Sequence, residues 1–470
     1  MIQDYLNPYE SSIQGIKGAV CQCLIFACLL LTTSLPSNAS QTSNHKWITT
    51  WIASVQGPYP VGNPSAQPNQ DLTFPQPAKG AQDQSFRMIV KPDVWGKTTR
   101  IRLTNALGTQ PVTFDNVYVG LQLSSAELFE NSNQVVTFNG STSVTIAPGQ
   151  WAWSDPVVLP FANDDRGNPV KTKKVALLDG RKMAVSFHVV GTSGPMTWHA
   201  KALTTSYISP PNSGALSKEE SEKAFPYSTA SWFFLDAIDM MLPKSTKVIL
   251  NFGDSITDGT ASTMNTDDRW PDVLSRRLHR QFGNKVVVLN AGIGGNQIAG
   301  PKDYSLEKPF PGGPSSEMRL DRDVLSLSSV NLVVWLEGIN DFSKNGNASV
   351  DVVIAKLTEG VRRLNQAGIK VMGATVGSAL NSTSAAHGTQ EQDSKRRALN
   401  DFIRSSNIFQ NYVDFDQVTL DPVTGEMRSA FVPESTTGGP GEKLHPNRVG
   451  YQAMGAAFDL KVIGEMLGIK

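Results

Sequence analysis

Four short segments carry residue types that could do chemistry together. The first is Gly253-Asp254-Ser255-Ile256-Thr257-Asp258-Gly259, directly after the apolar run Val248 to Phe252. A serine where a buried strand breaks into a turn and helix exposes its hydroxyl, and its backbone N–H points into the crevice. The same serine would serve as well as a helix cap. The second is Asn290-Ala291-Gly292-Ile293-Gly294-Gly295-Asn296. Its glycines let the backbone approach a ligand closely, or simply make a tight turn. The third is Glu337-Gly338-Ile339-Asn340-Asp341. The Asn340 side chain can donate to a developing oxyanion, and loss of such a donor costs a protease roughly 10²–10³ in rate. Its plain alternative is an Asx turn. The fourth is Glu442-Lys443-Leu444-His445-Pro446-Asn447. Of the 6 histidines, only His445 has an acid three residues before it in a pre-helical loop. A free imidazole can act as a base near neutral pH, although a lone loop histidine can also be structural.

These segments must be held by an ordered scaffold, and its elements are legible. After Lys244, short apolar strands at Val248 to Leu250, Val286 to Leu289, Leu332 to Leu336, Ile369 to Met372 and Val413 to Phe415 alternate with helical patterns. The helices are expected at Trp270 to Phe282, Val350 to Ala367, Ser394 to Asn407 and Pro446 to Leu467. Such alternation predicts an α/β domain with a parallel sheet and helices on both faces. Sites in these sheets gather outside the carboxyl ends of the strands, where the four segments fall.

Before Lys244 the rhythm is different. Thr99 to Asn105 alternates Ile101 and Leu103 with Arg100, Arg102 and Thr104, the pattern of a half-buried strand. Pro111 to Leu121, Val135 to Phe138, Ser143 to Ile146, Met183 to Val190, Trp198 to Tyr207 and Trp232 to Leu242 continue it. Turn residues between short strands predict an all-β sandwich or jelly roll over 47–243. Tryptophans at 151, 153, 198 and 232 either belong to its core or offer stacking surfaces to a glycan.

The first 39 residues read as a secretory signal peptide. Lys17 precedes an apolar run from Gly18 to Leu35, followed by Ser37-Asn38-Ala39. The run is shorter than the ~20 residues of a spanning helix, so no integral membrane segment is expected in the mature chain. All 3 cysteines lie in this segment, which leaves the mature chain no thiolate chemistry. With 42 basic and 42 acidic residues, nothing points to a nucleic acid partner.

Together the four segments resemble the GDSL/SGNH hydrolase superfamily, named for Ser, Gly, Asn and His in four blocks. The resemblance covers residues 244–470. It looks closest to secreted bacterial members with an added N-terminal β-domain, through RLDRDVL at Arg319 to Leu325, LEGIND at Leu336 to Asp341 and LHPNRVGYQAMG at Leu444 to Gly455. It implies a flavodoxin-like three-layer domain that hydrolyses esters, with no cofactor and no metal. Ser255 would attack the carbonyl, and His445 would carry the proton. The N–H groups of Ser255 and Gly295 and the Asn340 side chain would form an oxyanion hole. The family usually has Asp three residues before the histidine. Here Glu442 stands there, and glutamate serves in other Ser–His pairs. Asp416 is the alternative acid. Asp254 and Asp341 are expected to brace loops. Position 257 is Thr, so the G-x-S-x-G elbow of α/β-hydrolases is missing. The substrate would be an acyl lipid, a small ester or an acetylated glycan. A binding protein with a dead hydrolase fold is the non-enzymatic alternative. Oligomeric state is not legible.

Overall fold

Strand-forming residues dominate from residue 45 to 243, and among the described residues they build two larger antiparallel sheets and a two-stranded one, Trp198–His199 with Trp232–Phe233. The computed structural model describes residues 44–161, 178 and 180–470. The expected signal peptide and all three cysteines lie outside these residues. One larger sheet runs His45–Ile52, Leu235–Pro243, Thr98–Thr104, Trp151–Trp153, with Val157–Val158 also on the Thr98 strand. The other larger sheet is centred on Gln82–Val90, Met183–Thr192 and Val112–Ser124. Phe86, Phe114 and Phe187 of the second sheet meet the ring of Phe234, just before the Leu235–Pro243 strand of the first. Phe234 has a positive φ of 56°, and it splits the expected strand Trp232 to Leu242 into Trp232–Phe233 and Leu235–Pro243. The expected strand Trp198 to Tyr207 is likewise two, Trp198–His199 and Ser206–Ile208.

The strand Thr98–Thr104 is not half-buried as its alternation predicts. Ile101 and Leu103 face the core, yet Arg102 is only 2% exposed. Its guanidinium pairs with Asp236 at 2.7 Å and donates to Ser326 Oγ at 2.9 Å. Arg100 pairs with Asp239, which also accepts from Thr49 and Ser328. Ser326 and Ser328 belong to the later half of the chain, which therefore covers the face that polar residues would have given to water. Trp198 and Trp232 are buried core residues, so neither offers a stacking surface; Trp151 is 41% exposed.

The later half is an α/β domain on five parallel strands: β1 (Lys247–Gly253), β2 (Val286–Gly292), β3 (Val330–Leu336), β4 (Lys370–Ala374) and β5 (Asn411–Val413). Their order is β2-β1-β3-β4-β5, so the chain changes direction across β1. Eight helices accompany them: α1 (Ser255–Asp258), α2 (Trp270–Phe282), α3 (Ser316–Leu320), α4 (Val350–Gln366), α5 (Gln390–Ser405), α6 (Phe415–Thr419), α7 (Arg448–Ala456) and α8 (Leu460–Leu467). Pro271 opens α2, where its missing N–H costs nothing. Val273 of α2 packs on Gly455 of α7, where a Cβ would come within 2.5 Å of it. The single closing helix expected at Pro446 to Leu467 is two, because Asp459 caps a new start. The expected strand Val413 to Phe415 stops at Val413, and Asp414 caps α6.

One cluster of buried apolar side chains runs through both halves, from Ile48 and Leu103 to Leu250 and Val333. Residues Asn44–Lys470 form one compact unit. The Arg102–Asp236 pair lies at the seam. Asp236→Ala should cost about 3–5 kcal/mol, since it leaves a buried guanidinium without its counter-charge. Urea unfolding checks this, and a loss below about 1 kcal/mol would show the pair to be dispensable.

Candidate active site

Three strands end level and deliver three of the four segments. Gly253 of β1 is in register with Gly292 of β2 and Leu336 of β3. A side chain at Gly253 could not exist: its Cβ would sit 2.3 Å from the Leu336 carbonyl oxygen. The chain then turns into α1. Asp254 caps that helix by accepting from the Ile256 N–H at 2.9 Å. The cap is thus Asp254 and not Ser255, which leaves the serine hydroxyl free for another partner. That partner is His445 Nε2, 2.7 Å away.

The fourth segment brings His445 there just ahead of α7, which Asn447 caps. His445 Nδ1 meets Glu442 Oε1 in a short contact. The turn between them passes through Lys443, which has a positive φ of 62°. The Glu442 backbone carbonyl is held by Ser382 Oγ and the Thr383 N–H. The hydrogen bond from His445 holds the Glu442 carboxyl below its ordinary value, against the opposing pull of burial. Asp416, the alternative acid, pairs instead with Arg396 at 2.6 Å and Arg404 at 3.1 Å.

The second segment makes a turn closed by Asn296 N–H to the Ile293 carbonyl, with Gly295 at φ 85°. Asp258 accepts from the Gly294 N–H at 3.0 Å. Asn340, on the third segment, is 7% exposed and donates to the Asn296 carbonyl at 3.0 Å. One of its two amide hydrogens remains. Among the described residues, neither the Ser255 N–H nor the Gly295 N–H has a hydrogen-bond partner. Asp341 accepts from the N–H groups of Ile298 and Ala299 at 2.9 Å each, so it braces the chain just after the second segment from the third.

Several contacts here have no counterpart in the sequence reading. Asn296 accepts from Arg319 Nε at 2.7 Å and from Ser316, and donates to the Gly312 and Pro314 carbonyls. The Pro-rich stretch 300–317 is thereby fastened to the second segment. It is also tied to the β-rich half, through Tyr304 to the Gly57 carbonyl and Gln56 to the Pro311 carbonyl. Glu337 is buried with Ser316 and Trp335 as donors. His387 lies beside His445, and burial followed by the His445 charge pushes it down to about 4.

Residues 252–453 match the model of the GDSL-like Lipase/Acylhydrolase family. Solved structures similar to the chain include a carbohydrate acetylesterase family member from Sinorhizobium meliloti, at 20% identity and TM-score 0.37, covering 48% of this chain and 100% of that one. An aryl esterase of M. smegmatis is 16% identical with TM-score 0.36, covering 47% of this chain and 99% of that one. A GDSL-like lipase from Bacteroides thetaiotaomicron is 19% identical with TM-score 0.33, covering 47% and 88%. No curated protein matches the chain. No helix among the described residues is long and apolar enough to cross a membrane.

The floor of the site is a cluster of buried acids. Burial, then the charge of Glu337, pushes Asp341 from 3.8 up to about 7 and raises Asp254 as well. A carboxyl raised on folding favours the folded state while protonated, and that advantage is lost as pH rises through its folded value. The wild-type protein should therefore lose this contribution between about pH 4 and pH 7. In Asp341→Asn the loss is absent. The difference in Tm between variant and wild type should move in the variant's favour as pH rises from 4 to 8; a difference that stays constant would refute the assignment.

Proposed function

We propose that this chain is a secreted carboxylic ester hydrolase that works through a Ser255–His445–Glu442 triad and an acyl-enzyme. The observation that carries the reading is the continuous contact from Ser255 Oγ to His445 Nε2, and from His445 Nδ1 to Glu442. As Ser255 Oγ attacks the ester carbonyl, its proton passes to His445 Nε2. Glu442, an anion, stabilises the imidazolium that results and keeps the ring oriented. Negative charge collects on the former carbonyl oxygen. The unpartnered N–H groups of Ser255 and Gly295 and the remaining Asn340 amide hydrogen are the donors available to it. Collapse expels the alcohol, which takes the proton from His445. Water then attacks the acyl-enzyme, with His445 as base again, and releases the acid and Ser255.

The β-rich half supports this reading by its contacts with the site. Acyl length is to be read from a panel running from acetyl to longer esters, alongside acetate release from acetylated glycans.

Short p-nitrophenyl esters should be cleaved by the purified protein. Ser255→Ala should abolish turnover, and a fluorophosphonate probe should label Ser255 in the wild type alone. Activity retained in Ser255→Ala would sink the assignment. Glu442→Gln should lower kcat by about 10²–10⁴. Loss of the anion also makes the imidazolium less stable, so the acid limb of the pH–rate profile should move to lower pH. An unshifted limb would remove Glu442 from the triad.

A further inference from the structure

Side chains from the β-rich half enter the site at one point. Asn63 Nδ2 donates to the Gly294 carbonyl at 2.8 Å, across 231 positions of sequence. The same nitrogen lies 2.6 Å from where a Cβ on Gly295 would be. The Lys201 ammonium is fully buried against Thr260 Oγ1, and it lies 3.1 Å from the Cβ position of Gly294. His199 Nε2 meets Asp258 Oδ1 at 3.1 Å, while the other Asp258 oxygen accepts from the Gly294 N–H.

The consequence follows from peptide geometry. The Gly294 carbonyl and the Gly295 N–H belong to one planar trans unit, so they point in opposite directions and turn together. A bond that holds the carbonyl aims the N–H. Glycine on both sides of this unit gives the backbone no steric preference of its own, so the aim has to come from outside. Asp258 fixes the preceding peptide, and Asn63 fixes this one.

We propose that Asn63 is a positioning residue for ester hydrolysis: its carboxamide sets the Gly294–Gly295 peptide so that the Gly295 N–H faces the oxyanion. The inference rests on the reading of Ser255 as nucleophile and Gly295 as donor. It makes the β-rich half part of the catalytic apparatus.

The test uses the full chain with p-nitrophenyl acetate. Asn63→Ala should lower kcat by about 10-fold or more while KM stays within about twofold, because the donor it aims acts on the transition state. Asn63→Asp keeps the size of the group but sets an oxygen against the Gly294 carbonyl, and should be at least as impaired as Asn63→Ala. Asn63→Gln retains a carboxamide and should recover more of kcat than Asn63→Asp. If Asn63→Ala does not fold, as judged by Tm, the Gln-against-Asp comparison decides alone. Wild-type kcat in Asn63→Ala, or equal rates for Asn63→Asp and Asn63→Gln, would overturn the proposal. With Ser255→Ala inactive, those results leave the nucleophile assignment standing. A wild-type chain that cleaves no ester takes both down.

Discussion

At the ends of β1 and β2, the Arg319 guanidinium reaches a carbonyl of each strand. It donates to the Gly253 carbonyl and the Ala291 carbonyl at 2.9 Å each, to Asn296 Oδ1 at 2.7 Å and to Asp323 at 3.0 Å. Four of its five N–H groups are thereby used, and its plane lies 3.9 Å over the Phe252 ring. One planar cation therefore ties the ends of two strands to the turn that follows the second. Ser255 departs from the first of these ends and Gly295 from the second. The spacing between them is set by a rigid fork and not by loops alone. A lysine could offer the charge but not this divergent set of directions.

The same cation answers an electrostatic problem. Asp254, Glu337 and Asp341 are all buried near the site, and burial favours the neutral form of each. Arg319 works against that for Glu337. The acid with most solvent, Glu442, is the one held below its ordinary value. Negative charge is thereby favoured at Glu442, against His445, and disfavoured at the buried acids near Ser255.

Much of this was readable in the residues. Ser255 and Asn340 stood out because each is a polar type placed after an apolar run, and the register of β1 and β3 brings those ends level; His445 stood out by Glu442, the acid three residues before it. α2 has the bounds its periodicity predicts, since Pro271 marks its start and apolar spacing its length. Arg319 was visible as part of a family phrase, but its role was not. Its partners are mainly carbonyls, which every residue has, so no side-chain type marks them. Asn63 and Lys201 were invisible for another reason: they meet the second segment only after two sheets have folded between them. The helix α5 starts at Gln390 and not at Ser394 because Thr389 and Gln392 form a capping box, a signal present in the residues and overlooked there. Arg102 alternates like a solvent-facing residue, and only the docking of the later half buries it.

The contact between Asn63 and the Gly294 carbonyl has a meaning for how the chain reaches its native state. Residues 63, 201, 255, 295, 340 and 445 span most of the polypeptide, and no short stretch holds a working subset. Nearly the whole chain must be synthesised before the pieces can meet, and both halves must have condensed onto one core. Under the proposed function, turnover of an ester would report on completed folding, and not on the presence of a local motif.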